Sequence, residues 1–458
     1  MNIQPVNFRL RSYQQQILNE LNNEKSIGLF MGTGSGKTLT SLMRVKTNPT
    51  KKLLVICPQS VVNQWADVML NYFTGFNIFK HKKSATTTTI NKSLQYNHAD
   101  YNTFIFNFEK IAKLPSLLRI INNDWTIIID ESHRIKGFGT PRKPVKVTHA
   151  VLQLGKLTSH KIILTATPTQ GAFGGYIDYY PQLKFIDAIS MTYRQYFDRY
   201  VETVKINYGN SPYPVSKIVG YAYKPEIDRI LKQTCRRYVP KFHEVDPQHI
   251  KITVDKTPSY NKVLRELAYK DIMITNVSRK RLALKTLATG AVAGIDVFDN
   301  RYRFVDNTAK IDWLSDFLKD TDEVVSIFYQ YNVELETLEE LMKKLGKKYI
   351  IINGNTKDKF SEIKKDGYDV VLGQFQAMSE SLDGLHLRSH IEVFFAMPES
   401  SLIYRQALGR IDRDGQTKLP IYYYLIMKDT IEEQIYRMIE KKIEFSETTL
   451  TKLVIKEG

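Results

Sequence analysis

SIGLFMGTGSGKT, Ser26 to Thr38, is the stretch from which the rest of the chain is read. Ser26 to Met31 has the composition of a short buried strand, and the residues after Gly36 open a helix. Strand, glycine-rich turn and helix is the context that a phosphate-binding loop needs. Glycines let backbone N–H groups converge on phosphate oxygens with no side chain in the way. The helix N-terminus adds partial positive charge. Gly32, Thr33, Gly34, Ser35 and Gly36 are therefore candidate phosphate-cradling residues. Lys37 can reach β- and γ-phosphates, and the Thr38 hydroxyl can bind Mg²⁺. ATP and Mg²⁺ are the ligands expected. The strict G-x-x-x-x-G-K-[ST] spacing asks for glycine where Met31 stands. The plain alternative is a glycine-rich turn before a helix.

Outward from this loop, short apolar runs alternate with amphipathic stretches. Leu53 to Cys57, Thr103 to Phe106, Thr126 to Ile129 and Lys161 to Leu164 read as strands. Val61 to Tyr72 and Lys110 to Ile121 read as helices between them. Such alternation predicts a parallel sheet covered by helices. From about Gly171 to Phe304 the chain is rich in Tyr, Lys and Arg and reads as largely helical, as in Ser259 to Lys270. Alternation returns with Val324 to Tyr329, Tyr349 to Ile352, Asp369 to Leu372, Ile391 to Ala396 and Pro420 to Met427. The expected fold is α/β: two parallel-sheet lobes, 1–170 and 305–458, with a mainly helical insertion, 171–304, between them.

Bulk properties agree with this plan. At about 150 residues per domain, 458 residues correspond to roughly three folding units. Hydrophobic residues at 43% and charged residues at 25% are ordinary for a soluble domain. The two cysteines, Cys57 and Cys235, have no partner at metal-ligand or redox-motif spacing, which fits a reduced intracellular setting. Met1 to Leu10 lacks the apolar segment of a secretory signal, and no stretch is long enough to cross a bilayer. A cytoplasmic protein without a membrane partner is expected. Net charge is +17, which favours a polyanionic partner through counterion release. A generally basic protein is the competing explanation. Ser84 to Thr89, preceded by Lys80 to Lys83, reads as an exposed low-complexity loop.

Three further segments carry chemistry. Asp130-Glu131-Ser132-His133 follows Ile127 to Ile129. A carboxylate at the end of a buried strand is costly unless it meets a cation. Asp130 suits Mg²⁺ coordination, and Glu131 suits a general base that aligns water on the γ-phosphate. A solvated acidic pair is the plain alternative. Leu164 to Pro168 is by itself only a polar turn. In Gln406 to Arg413, helical spacing would place Gln406, Arg410 and Arg413 on one face. Two guanidinium groups aimed one way suit the stabilisation of transferring phosphoryl charge. A solvated basic face is the alternative. In the middle segment, Tyr193, Tyr196, Phe197 and Tyr200 recur at helical spacing and read as a core face. Arg236, Arg237, Arg279, Lys280 and Arg281 either line a nucleic-acid path or form a solvated surface.

Taken in order, these segments resemble the signature of helicase superfamily two, and in detail its Snf (Swi/Snf-like) branch. Leu10 to Gln14 resembles the adenine-recognition segment, which implies a base contact for Gln14 with Arg11 beside it. Ile56 to Trp65 resembles a motif that contacts the DNA backbone. Asp130 to Lys136 is similar to the DEAH-RIK segment, and Leu164 to Gln170 to LTGTPLQ. In the second lobe, Ile327 to Tyr331 and Ser379 to Leu385 resemble further motifs. Gln406 to Gln416 is similar to the arginine motif, and Thr430 to Ile435 to a helix that braces the two lobes.

The resemblance implies two RecA-like lobes and an ATP-dependent translocase. Lys37, Asp130, Glu131, Gln406, Arg410 and Arg413 would be its catalytic residues, and Thr38 and Asp130 its Mg²⁺ ligands. It implies DNA as partner, double-stranded in preference to single-stranded or branched, and a monomer. Replication or recombination proteins of a phage or its host are the candidate protein partners. A strand-separating helicase and a nucleotide-gated DNA-binding partner of a nuclease are the alternatives. Departures are Met31 and Gly32 in place of an acidic pair, Ser132 for Ala, Ala166 for Gly and Ser381 for Gly. The short connection between lobes points to a bare motor of bacterial or phage type.

Overall fold

The apolar run Ser26–Met31 forms strand β1, and the glycine loop after it leads into helix α2 (Lys37–Thr47), with α1 (Ser12–Glu20) preceding both. The first sheet continues with β2 (Lys52–Cys57), β3 (Ile78–Lys80), β4 (Thr103–Asn107), β5 (Trp125–Asp130), β6 (His160–Leu164) and β7 (Cys235–Tyr238). All seven strands are parallel, in the order β7-β1-β6-β5-β2-β4-β3. The central strands are apolar on both faces because helices cover both. Helix α3 (Val62–Tyr72) covers one of them through Val62, Trp65, Ala66 and Met69.

The computed structural model describes the chain except for residues 7, 81–84, 141–142, 170–174, 207–214, 266–267, 270–271, 274–276, 296–300, 357, 380–383, 399 and 441–458. It divides into two compact units, Met1–Pro240 and Lys241–Gly458.

The second unit holds a six-stranded parallel sheet. Its strands are β8 (Gln248–Val254), β9 (Val325–Tyr329), β10 (Tyr349–Ile352), β11 (Val370–Gln374), β12 (Ile391–Phe394) and β13 (Ile421–Met427), in the order β8-β13-β12-β9-β11-β10. Helices α4 (Asn332–Leu345), α5 (Ser401–Leu408) and α6 (Ile431–Glu440) pack on it. Helix α6 is anchored inside this unit. Glu432 accepts from Lys310 Nζ at 2.7 and 2.8 Å and from the Met427 N–H at 3.0 Å. Glu433 accepts from Lys251 at 3.0 Å, and the Tyr260 hydroxyl accepts from the Ile431 N–H at 2.7 Å.

The two expected α/β sheets are present, and the segment between them carries helices, among them Lys224–Thr234 and Val277–Ala288, together with strands that the sequence did not announce. It supplies an edge strand to each sheet, β7 and β8, and two hairpins, Val201–Ile206 with Val215–Tyr221 and Ala291–Ile295 with Arg301–Val305. Edge strands are half exposed, so β8, Gln248 to Val254, shows an exposed–intermediate alternation rather than an apolar run. The expected helix Lys110 to Ile121 is two short helices, Phe108–Ile111 and Leu117–Ile120. Pro115 lies between them, lacks an N–H and disfavours helical backbone at Leu114. Of the expected loop Ser84 to Thr89, Ser84 lies outside the described residues, and Thr87–Asn97 is a helix capped by the Thr86 hydroxyl. Tyr196 and Tyr200 are fully buried against Tyr180 and its neighbours, as a core face requires. Among the described residues no helix is long and apolar enough to cross a membrane.

Candidate nucleotide site

Strands β1, β6 and β5 are neighbours and parallel, so the loops at their carboxyl ends lie along one edge of the first sheet. Ligands of open α/β sheets bind at that edge. Leu164 pairs with both Leu29 and Asp130, which brings the loop after Met31, the Asp130–His133 segment and the Thr165–Pro168 segment together.

The loop after β1 has the backbone its glycines permit. Gly34 and Gly36 both have φ +71°, and Gly36 caps α2 from the left-handed region. A Cβ on Gly36 would also collide with the Gln14 amide. Met31, the mismatch to the strict spacing, ends β1 fully buried in the core and does not have a positive φ, so a side chain is tolerated there. Lys37 Nζ donates to the Met31 and Gly32 carbonyls at 2.9 Å each. The Ser35 hydroxyl donates to the Gly32 carbonyl at 2.6 Å.

The segment around Gln14 is fastened to this loop. Gln14, 4% exposed, donates from Nε2 to Ser35 O at 3.1 Å, while its Oε1 accepts from the Arg11 N–H at 2.8 Å. Tyr13 donates to the same Ser35 carbonyl at 2.9 Å and stacks on Tyr238 at 4.0 Å between ring centres. The Gly32 N–H closes the circuit on Tyr238 O at 2.7 Å. Gln14 thus supports the loop itself, beside the place assigned to a base.

Asp130, at the end of β5, accepts from the Trp65 indole N–H at 2.8 Å and from the Glu131 N–H at 2.9 Å. Loss of water around its carboxyl, with the Glu131 charge adding to it, pushes its pKa up to about 6 against the pull of Trp65 and Lys37. Glu131 itself sits at φ 52°, a conformation that costs a non-glycine residue about 1–3 kcal/mol and that concentrates at functional sites. Its carboxylate lies 3.2 Å from His133 Nδ1 and accepts from the Thr165 hydroxyl at 3.4 Å. Thr165 also meets His133 Nδ1 at 3.0 Å and accepts from the Thr167 N–H at 3.1 Å. The Ser132 hydroxyl donates to Gln182 Oε1 at 2.8 Å, and Gln182 donates to Pro168 O at 2.7 Å. The serine at position 132 is therefore a connector between the two strand-end segments.

These residues suit a nucleoside triphosphate and Mg²⁺. The loop after Met31, with Lys37, would hold phosphate oxygens, and Thr38 and Asp130 carry the hard oxygen atoms that would hold Mg²⁺. Among the described residues no cluster of three or more His, Cys, Asp or Glu forms a denser metal site.

In the second unit the expected single helical face for Gln406, Arg410 and Arg413 is not formed. Helix α5 ends at Leu408, whose carbonyl accepts from the Tyr422 hydroxyl at 2.6 Å, with Gly409 as the C-cap. Arg410 and Arg413 lie on the turns beyond it. Arg410 is 6% exposed, and its Nε donates back to Gln406 O at 3.0 Å. Gln416 holds the far end of these turns by donating to His386 O at 2.8 Å and Ser389 O at 2.9 Å. Gln170 and Glu380 to Asp383, including Ser381, lie outside the described residues. Arg236 pairs with Glu20 at 2.6 Å, and Arg237 lies against Tyr179, 5.7 Å from its ring centre.

Comparison with known proteins decides the family. Residues 7–288 match the model of the SNF2-related domain. The chain belongs to the SNF2-related family. Membership makes it an SNF2-family ATPase. It is similar to putative protein p41 of Acyrthosiphon pisum secondary endosymbiont phage 1, with 25% identity over 93% of this chain and 95% of that protein. It is similar to the chromodomain-helicase-DNA-binding protein 1-like of Mus musculus, 23% identical over 98% of this chain but only 50% of that protein. Among solved structures it matches the Sulfolobus solfataricus SWI2/SNF2 ATPase core in complex with dsDNA, at 18% identity and TM-score 0.41, over 98% of this chain and 93% of that one.

Within the SNF2-related frame, Gln182 and Tyr238 lie outside every motif read from the sequence, while Trp65 and Thr165 lie inside two of those motifs but were given no contact with Asp130 or Glu131. The contact of Trp65 had a further signal. A buried indole N–H requires an acceptor, and a carboxylate at a strand end requires donors.

Proposed function

We propose that this chain hydrolyses ATP with Mg²⁺ and couples the cycle to movement along DNA, double-stranded DNA in preference to other forms. The observation that carries the reading is the meeting of Lys37, Asp130 and Glu131 along one sheet edge, with Glu131 backed by His133 and Thr165. Lys37 and the loop amides hold the β- and γ-phosphates. Bound Mg²⁺, held by Thr38 and Asp130, would neutralise developing phosphate charge. Glu131 aligns the attacking water, and His133 with Thr165 fixes its carboxylate. Arg410 and Arg413 supply guanidinium charge to the transferring group. Grip on DNA runs through the phosphate backbone and is largely independent of sequence.

The test is ATP turnover with and without duplex DNA, with Lys37→Ala as the inactive control. Marked stimulation by duplex is expected, and Arg410→Ala should retain ATP binding while losing hydrolysis. Turnover indifferent to every nucleic acid tested would overturn the motor. Triplex displacement beside unwinding of a forked duplex separates translocation, the expected result, from strand separation.

A further inference from the structure

Strand β7 runs beside β1, with Tyr238 in register with Met31, the residue before the glycine loop. The chain leaves β7 through Val239 and Pro240 and enters the second unit at Lys241. This exit is tied to both ends of the loop. The Tyr238 carbonyl accepts from the Gly32 N–H at 2.7 Å and so holds the loop's first residue. The Tyr238 ring lies flat on that of Tyr13, 4.0 Å between centres at 11°. Tyr13 in turn donates to the Ser35 carbonyl at 2.9 Å, near the loop's end.

Gly32 meets the same segment by close approach. Gly34 and Gly36 have positive φ, but Gly32 is not among the glycines that do, so its missing side chain serves space and not backbone freedom. A Cβ there would stand 2.9 Å from Pro240 Cδ, closer than Cβ atoms stand to their neighbours in folded chains. A proline ring is fixed to the backbone and cannot swing aside as the end of a long side chain can. The Gly32 carbonyl meanwhile accepts from Lys37 Nζ at 2.9 Å and from the Ser35 hydroxyl at 2.6 Å. Gly32 thus stands between Tyr238 on one side and Lys37 on the other.

We propose that Tyr238 and Pro240 are positioning residues for the glycine loop: Tyr238 holds its two ends, and Pro240 fills the space that only glycine leaves at position 32. The proposal rests on the reading of this loop as the seat of the ATP phosphates. Loss of the Tyr238 ring frees Tyr13, and with it the Ser35 carbonyl, while the backbone bond to Gly32 remains. A side chain at position 32 displaces the other end. Asp130 and Glu131 stand at the end of β5, outside the loop, so both changes act on ATP binding more than on the chemical step.

The experiment is equilibrium binding of a fluorescent ATP analogue with Mg²⁺, beside KM and kcat for ATP at saturating duplex DNA. Tyr238→Leu should raise Kd and KM by about three- to tenfold, the worth of a stacked aromatic pair, with kcat changed less than KM. Tyr238→Phe keeps the ring and should restore tight binding. Gly32→Ala should weaken binding, and adding Pro240→Ala, which removes Cδ, should return most of the loss. Unchanged affinity in Tyr238→Leu, or a Gly32→Ala defect that Pro240→Ala does not relieve, would overturn the proposal. Hydrogen exchange without nucleotide separates the tie from the ATP reading. In Tyr238→Leu the amides of Gly32 to Thr38 should exchange faster while those of β5 keep their protection. Equal loop exchange would overturn the tie, whereas faster loop exchange in a chain that binds no ATP would uphold it and overturn only the nucleotide reading. Tyr13→Leu, which removes the other ring, repeats the measurements should Tyr238→Leu fold poorly.

Discussion

The indole N–H of Trp65 donates to Asp130 Oδ2 at 2.8 Å, joining α3 to the end of β5. Trp65 is 2% exposed, so the bond fixes the carboxyl from within the core. Partners of this kind orient a metal-binding carboxylate, and removing one typically costs about 10–100-fold in metal affinity or activity. Trp65→Phe keeps the packing and deletes the donor. It should raise the Mg²⁺ concentration needed for half-maximal turnover by about tenfold, measured by titrating Mg²⁺ at fixed ATP. An unchanged requirement would show that the bond does not serve the metal.

Asp130 carries a pH dependence of definite sign. Its pKa in the folded chain, about 6, lies above the ordinary value of 3.8. The folded state thus binds the proton more tightly than the unfolded one, and the ionised group destabilises the fold above pH 6. Asp130→Asn should raise stability at pH 7.5 by roughly 1–3 kcal/mol. The gain should shrink as pH falls through 6 and vanish near 4. Melting temperatures of both proteins across this range, without nucleotide, check it.

Glu131 has a strained backbone and a carboxylate held by His133 and Thr165. Glu131→Gln preserves shape and removes the acceptor strength needed to align water. Turnover should fall by about 100-fold or more, with ATP affinity retained. Equilibrium binding of a fluorescent ATP analogue beside a single-turnover assay separates the two effects. Thr165→Val should fall between the two proteins in rate.

Lys310 and Glu432 form a buried ion pair in the second unit, with side chains 2% and 5% exposed. Burial pushes the lysine down and the glutamate up, and their mutual attraction opposes both shifts. Removing one partner leaves a buried charge alone. Lys310→Met should cost about 3–5 kcal/mol, and the double variant Lys310→Met with Glu432→Leu should cost less than the two single changes summed. Urea unfolding of the four proteins gives the coupling directly.

The central strands were readable because a strand buried on both faces must be apolar along its length. Leu53 to Cys57 and Ile127 to Ile129 admit no other placement. The edge strands β7 and β8 were not, because one side of each meets solvent and their pairing energy comes from backbone hydrogen bonds, which any residue supplies. The break at Pro115 was visible in principle, since proline's effect on a helix is local.

By itself the sequence marked the glycine loop after Met31, the acidic strand end, the arginine segment and the family, because each depends on residue types at short spacing. Tertiary structure alone decided that Trp65 holds Asp130, that Gln182 links Ser132 to Pro168, and that Arg410 lies buried beyond the end of α5 instead of on a helical face. Those pairs are separated by up to 65 positions. Their meeting depends on strand order, which is set by summed burial over a whole sheet and leaves no mark at any one residue.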